Sequence, residues 1–115
     1  METISFEEFK KVNLRVGKVL AAQRVEGSEK LLKLSVDIGE KDEAGVSKTR
    51  QILAGVGKVY SPEDMMGRNI IIVANLAPRM MMGLESQGML LAADSPEGPI
   101  LLRPDHEVIP GAEIR

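Results

Sequence analysis

SPEDMMGRNIIIVAN, residues 61–75, carries two adjacent signals on which the fold turns. Ser61 is a side-chain cap, Pro62 stands at the first helical position, where its missing N–H is no loss, and Gly67 supplies the stop. A compact helix of one to two turns is therefore expected. The residues after it, Asn69–Asn75, read as a fully apolar strand. A short helix leading straight into such a strand places a helical connection inside a β-protein.

Upstream lie three more strands. LRVGKVLAAQRV, residues 14–25, sets apolar Leu14 and Val16 against polar Arg15 and Lys18 and predicts a strand of about ten residues, with Gly17 marking a bulge or sharp bend. The turn EGSEK (26–30) leads into LLKLSVDIG (31–39), where Leu32, Leu34, Val36 and Ile38 share one face and Lys33, Ser35 and Asp37 the other. That is the pattern of a half-buried antiparallel strand. EKDEAGVSK (40–48) is a polar loop and TRQILAGV (49–56) a third strand. Ahead of them all, Ser5 caps a short helix ending near Asn13, with Glu8 three residues on and Ile4 and Phe9 spaced as a hydrophobic staple. Downstream, LAPRMMMGLES (76–86) is expected as a loop, QGMLLAAD (87–94) as a fifth strand, and ILLRP, past the turn SPEGP, as a shorter apolar run.

Three strands, a helix and two strands give an all-β class with short helices, a five-stranded Greek-key OB-fold barrel. The expected layout is a single domain, 1–115, with the barrel at about 13–93 and a C-terminal dimerisation extension at about 94–115. In this architecture the binding surface is the face of strands 2 and 3, flanked by the 1–2 and 4–5 loops, here residues 25–30 and 76–86.

Composition narrows the function. The chain has 115 residues, no cysteine, 43% hydrophobic and 28% charged residues, which are ordinary globular values. No apolar run approaches the roughly 18 residues of a membrane helix, and METISFEEF lacks the basic start and apolar middle of a secretory signal. A soluble, cytoplasmic protein with no membrane partner is expected. Its net charge of −2 is uneven: residues 10–50 carry ten Lys or Arg against six Asp or Glu, and the remainder five against eleven. The first region can therefore attract an anion although the whole protein does not. No phosphate loop, dinucleotide motif, serine elbow or paired-histidine motif is present. The single histidine, His106, sits between Asp105 and Glu107 in what reads as a surface turn. No catalytic residue, cofactor or metal is expected.

Four segments, FKKVNLRVGKV, EGSEKLLKLSVDIG, RQILAGVGKVYSPEDMMG and VANLAPRMMMGLESQGMLLAA, occur in that order. Together they resemble the tRNA-binding OB-fold domain appended to methionyl-tRNA synthetase (the C-terminal, or beta-subunit, type) and found alone as small tRNA-binding proteins. The most specific part is Asn75-Leu76-x-Pro78 followed by Met82-Gly83-x-x-Ser86-x-Gly88-Met89. The resemblance implies structure-specific, sequence-nonspecific tRNA binding, a homodimer, and work either with a methionyl-tRNA synthetase catalytic chain or alone. The chain departs from the family pattern at Asn13, where Asp is usual, at Met80, where Lys or Arg is usual, and in the longer connection 40–48. Export-related peptide-binding chaperones share the fold and form the alternative, as does a dimerisation module without RNA binding. The stretch Leu84–Met89 follows the tRNA-binding type.

The candidate RNA-binding residues are Lys30, Lys33, Arg50, Asn75, Arg79, Met82, Ser86, Gln87 and Met89. Lys30, Lys33 and Arg50 are expected to converge on a phosphate-tracking surface. Asn75 and Ser86 bracket the 4–5 loop, where they either donate to phosphate or ribose oxygens or hold the loop through side-chain to backbone bonds. Met82 and Met89 offer flexible thioethers to the RNA, Met80 and Met81 plug the barrel end, and Met65 and Met66 pack its bottom. Phe6, Phe9 and Tyr60 all fall outside strands 2, 3 and 5, so base stacking of a single strand has no platform, and recognition of a folded RNA by shape is expected. With Ser86 at a loop mouth, Ser86→Glu should weaken tRNA binding by about 1–3 kcal/mol and leave the fold intact.

Overall fold

A computed structural model describes all 115 residues. Ser5 opens helix α1 (Phe6–Phe9): its hydroxyl accepts the Glu8 N–H at 3.1 Å while the Glu8 carboxylate reaches back to the Ser5 N–H, a reciprocal cap. The helix ends earlier than the sequence expects, and turns carry the chain to β1 (Leu14–Arg24), an 11-residue strand.

Strand β1 serves two neighbours in turn. Its first half pairs antiparallel with β4 (Asn69–Val73), Leu14 opposite Val73 and Lys18 opposite Asn69; its second half pairs with β2 (Leu32–Asp37), Lys18 opposite Asp37 and Arg24 opposite Leu32. Between Val19 and Ala21 the register slips by one residue, so Leu20 is the extra residue of a bulge. The expected bend is real, but it sits at Leu20. Gly17 answers a different need, because a Cβ there would lie 2.6 Å from Val36 Cγ1. The bulge also reverses the alternation: Val19 faces in, then Ala22 faces in opposite Leu34, while Ala21 and Gln23 turn outward beside Ser35 and Lys33.

Strand β3 (Arg50–Ala54) continues the sheet beyond β2, with Val36 opposite Arg50 and Leu32 opposite Ala54. Helix α2 (Pro62–Met65) is one turn, capped by Ser61 and Asp64 in the same reciprocal manner as α1. Strand β4 is buried at all five positions, as the apolar run Ile70–Val73 requires, and polar Asn69 at its start is buried with it. The core gathers Val19, Leu32, Leu34, Val36, Ile52, Met65, Ile70 and Ile72 inside the barrel. The chain is mostly β, a nearly closed OB-like barrel with short helices.

Three expectations need correction. Residues 76–86 are no open loop: β5 (Arg79–Met81) and β6 (Leu84–Ser86) form a hairpin whose turn residues, Met82 and Gly83, both have positive φ, 49° and 79°. Two residues in that conformation suit the right-handed twist of the flanking strands. The fifth strand is broken at Leu91: β7 (Met89–Leu90) pairs with β4, and β8 (Ala92–Ser95) turns away to pair with β9 (Gly98–Leu101). The methionines are also sorted differently, with Met81 half-buried against Val25, Leu31 and Leu53, and Met80, at 63% exposure, plugging nothing. Met66, expected in the barrel bottom, is 52% exposed beside fully buried Met65.

The C-terminal segment returns to the sheet. Strand β10 (Glu113–Ile114) pairs with Leu14 and Arg15 of β1, on the length of strand that β2 leaves free. This protects an edge that would otherwise offer unpaired backbone groups. The unequal fates of the two adjacent methionines give a direct test. Met65→Ala should lower unfolding free energy by about 2–5 kcal/mol, the range for emptying a buried large side chain. Met66→Ala should stay within about 0.5 kcal/mol of the parent. Urea denaturation of the two variants measures both.

Candidate functional site

The outward face of β1, β2 and β3 holds a shallow depression of about 260 Å³. Ala21 is its small outward-facing side chain, and Gln23, Lys33, Ser35, Thr49, Gln51 and Gln87 border it. Strand alternation puts these side chains there: Gln23 is opposite Lys33, and Ser35 is opposite both Ala21 and Gln51. The Ser35 hydroxyl donates to Thr49 Oγ1 at 3.0 Å. No aromatic ring lines the depression; Phe6 and Phe9 lie in α1, and the Tyr60 hydroxyl accepts the Leu101 N–H at 3.1 Å. Gln23, Ser35, Thr49 and Gln51 were missed from sequence. The polar face of β2 announced Ser35, but Gln23 becomes visible only once the bulge is known.

The β5–β6 hairpin is joined to the rim of the depression through Gln51, whose side chain reaches the Glu85 carbonyl. Met81 and Leu84 pack over Val25, Leu31 and Leu53, joining the hairpin to the 1–2 loop and the end of β3. Arg24 braces that loop from beneath by donating to the Glu29 and Gly57 carbonyls at 3.0 and 2.8 Å. The Met82 methyl comes within 3.4 Å of where a Gly27 side chain would begin, so the two flanking loops touch.

Barrel closure between β3 and the segment following β6 is made largely by side chains. Ser86, only 2% exposed, accepts the Leu53 N–H at 2.9 Å and donates to the Gly88 carbonyl at 2.9 Å. The Gln87 side-chain oxygen accepts the Gln51 N–H at 2.9 Å, while the Gln87 N–H donates to the Gln51 carbonyl at 2.8 Å. Gln51 Nε2 completes the set by donating to the Glu85 carbonyl at 2.9 Å. Gly88 follows at φ 140°, where a Cβ would meet Ile52 Cδ1 and the Val73 carbonyl, both at 3.0 Å.

Arg50 is also committed, and on the other face. As the cross-strand partner of Val36 it lies on the inward side of β3, not beside Lys33. Its guanidinium forms a bidentate pair with Glu40, Nε–Oε1 and Nη2–Oε2 both 2.9 Å, and Nη1 donates to the Ala74 and Gln87 carbonyls. This hydrogen-bonded pair lowers the Glu40 pKa and raises that of Arg50. Asn75 is spent in a similar way: Nδ2 donates to the Lys11 carbonyl at 2.6 Å and Oδ1 accepts the Asn13 N–H at 2.8 Å, fastening the segment after α1 to the end of β4.

The nine sequence candidates therefore divide. Lys33 lies on the face, Lys30 is exposed at the end of the 1–2 loop, and Arg79, Met82 and Met89 are exposed, the two methionines at 58% and 48%. None of the three cations is in an ion pair. Arg50, Asn75 and Ser86 do not converge with them, because each is occupied in holding the backbone. Gln87 does both: its backbone and amide oxygen close the barrel, and its exposed remainder borders the depression. The expectation that Ser86 stands at a loop mouth is corrected by its burial, and Ser86→Glu would strike the fold first.

Comparison with known proteins gives a consistent set of matches. A family model for the tRNA-binding domain matches residues 14–113. The chain is 53% identical over 112 residues to a methionine–tRNA ligase of Methanothrix thermoacetophila, covering 97% of this chain and 16% of the ligase. A second such ligase, from Caldanaerobacter subterraneus, is 47% identical over 114 residues, 99% of this chain and 17% of the ligase. The matched part is the C-terminal domain of these longer enzymes. Among solved structures, a MetRS-related protein from Pyrococcus horikoshii superposes with a TM-score of 0.87 at 35% identity, covering all of both chains. The chaperone CsaA from Bacillus anthracis superposes with a TM-score of 0.83 at 30% identity, covering 99% of this chain and all of the other.

Two outcomes follow from this geometry. Ser86→Ala strands the buried Leu53 N–H and should cost about 1–3 kcal/mol of stability, read as an earlier midpoint in urea with little change in slope. The Glu40–Arg50 pair sets the response to acid. Glu40 has a folded pKa below its ordinary 4.5, so its contribution is complete above that value and is lost as pH falls through the folded pKa. Calorimetry from about pH 6 to about pH 3 should show the parent losing melting temperature more steeply than Glu40→Gln.

Proposed function

Because the chain belongs to the tRNA-binding domain family, we propose that it binds folded tRNA with the depression on β1–β3 and the β5–β6 hairpin beside it. The observation that carries this reading is the chemistry of the face: the small Ala21 side chain, a rim of amides and hydroxyls, unpaired lysine at its edge and no stacking ring. Such a surface suits phosphates, 2′-hydroxyls and helical shape, and offers nothing to splayed single-stranded bases. Lys30, Lys33 and Arg79 supply charge, and Met82 and Met89 conform to sugar and groove surfaces. Recognition is by structure and not by base sequence.

The active unit is a homodimer. Helix α1 buries none of its residues within the chain, and Phe6, Phe9, Val12 and Ile114 line an apolar cleft of about 210 Å³ between α1 and the C-terminal strand. An aromatic helix face left open beside such a cleft is supported best when a second copy covers it about a two-fold axis. The protein works in the cytoplasm, adding tRNA affinity to a methionyl-tRNA synthetase catalytic chain or acting alone, and has no catalytic activity of its own. The structural likeness to CsaA favours one rival, binding of unfolded polypeptide by the exposed apolar residues Leu76, Met80, Met82 and Met89.

Sedimentation of the purified chain, alone and with partners, tests these readings together. A dimer at micromolar concentration should bind folded tRNA with a log-affinity against log-salt slope of about −2 to −5, from a few phosphate contacts per subunit. Lys33→Ala should reduce that slope. Equal affinity for unstructured RNA of the same length, or preference for a denatured protein, refutes shape recognition, and a monomer refutes the two-fold assembly.

A further inference from the structure

The connection 40–48 is longer than the fold requires, and it is an ordered structure in its own right. The Asp42 carboxylate accepts the Ala44 and Val46 N–H groups at 2.9 and 3.0 Å, the Asp42 N–H donates to the Val46 carbonyl at 2.8 Å, and Lys41 and Ser47 bridge across its neck. The Lys48 N–H donates to the Glu40 carbonyl at 3.1 Å, closing the base. Glu40 is then gripped by Arg50, whose remaining donors hold Ala74 and Gln87. One ion pair thus fixes the loop to the closing segment and to the end of β4.

This arrangement creates a second cleft of about 340 Å³ between the loop and the residues leading to the hairpin, bordered by Glu40, Lys48, Thr49, Leu76, Pro78 and Gln87. Thr49 and Gln87 also border the depression on β1–β3. The two hollows therefore adjoin at these two residues, with Lys33 on one and Lys48 on the other. Lys48 is exposed and in no ion pair, and Glu40, the carboxylate whose carbonyl accepts the Lys48 N–H, is paired with Arg50.

We propose that the 40–48 loop extends the RNA-contact surface, with Lys48 as the phosphate-contacting cation and the Glu40–Arg50 pair as the positioning element that holds it there. The inference rests on the tRNA-binding function proposed for the β1–β3 face. A strand of RNA backbone lying in the β1–β3 depression passes Gln87 and Thr49 and meets Lys48, so a cation at that point adds one more phosphate contact. Glu40 borders the same cleft with both carboxylate oxygens paired to Arg50 and acts through that pair.

The charge of Glu40 makes the test sharp. A carboxylate merely near an RNA surface repels phosphate, so Glu40→Gln would strengthen binding; a carboxylate that positions the loop weakens binding when neutralised. The experiment titrates folded tRNA into the full chain and into Lys48→Gln, Lys48→Arg, Glu40→Gln and Lys33→Ala, at salt from about 50 to about 200 mM. Lys48→Gln is expected to make the salt slope shallower by about 0.7–0.9, the value of a single phosphate neutralised by one cation, so that its deficit shrinks roughly threefold across that range. Lys48→Arg should keep the parent slope, and Glu40→Gln should bind more weakly than the parent at a melting temperature above the assay. An unchanged slope in Lys48→Gln, or tighter binding by Glu40→Gln, overturns the proposal while Lys33→Ala still shows the weakening expected of the main face. Absence of tRNA binding by the parent overturns the underlying reading as well.

Discussion

The barrel depends on a closure that ordinary strand pairing does not supply. Strand β3 needs a neighbour, and the chain that reaches it from β6 offers two side chains as well as its backbone. The Ser86 hydroxyl takes the Leu53 N–H and the Gln87 amide takes that of Gln51. Without them, two backbone donors at the join would go unpaired, and buried donors without acceptors are costly. The residues that unite, Gln51 and Gln87, are 36 positions apart, so this contact brings together the first and second halves of the chain. Everything on the outward face is aligned by it.

This accounts for the division among polar residues that look alike in sequence. Ser86, Asn75 and Arg50 each satisfy fixed backbone groups, and those bonds hold their side chains in place. Lys33, Lys30, Met82 and Met89 have no such obligations. A face assembled in this way keeps its shape before any partner arrives, because the hairpin beside it rests on the small apolar cluster of Val25, Leu31 and Leu53. Preorganisation of that kind reduces the ordering cost of association.

Much of the fold was legible in the sequence because it followed from local rules. Both helix caps, the alternation of β2 and the apolar run of β4 each carry a period or a punctuation mark that survives without tertiary information. The bulge at Leu20 was not legible at its true position, since nothing distinguishes Leu20 from its neighbours until β2 and β4 compete for the same strand. The hairpin at 79–86 was hidden because Met82 occupies a left-handed position more often held by Gly or Asn. The site was half legible. Exposed lysines on a polar strand face can be read from alternation, whereas the occupation of Arg50 depends on a carboxylate in a loop and two carbonyls far along the chain.

Strand β1 has a further effect through its length. Its beginning pairs with the C-terminal strand near α1, and its end carries Gln23 on the rim of the depression. Helix α1 and the last strand therefore border one apolar cleft, lined by Phe6 and Arg115 among others, while the polar face lies toward the opposite end of an 11-residue strand. A tether attached at either terminus leaves from the same pole of the molecule. Such a module can hang from a larger body, or be cut loose from it, with the same surface presented outward.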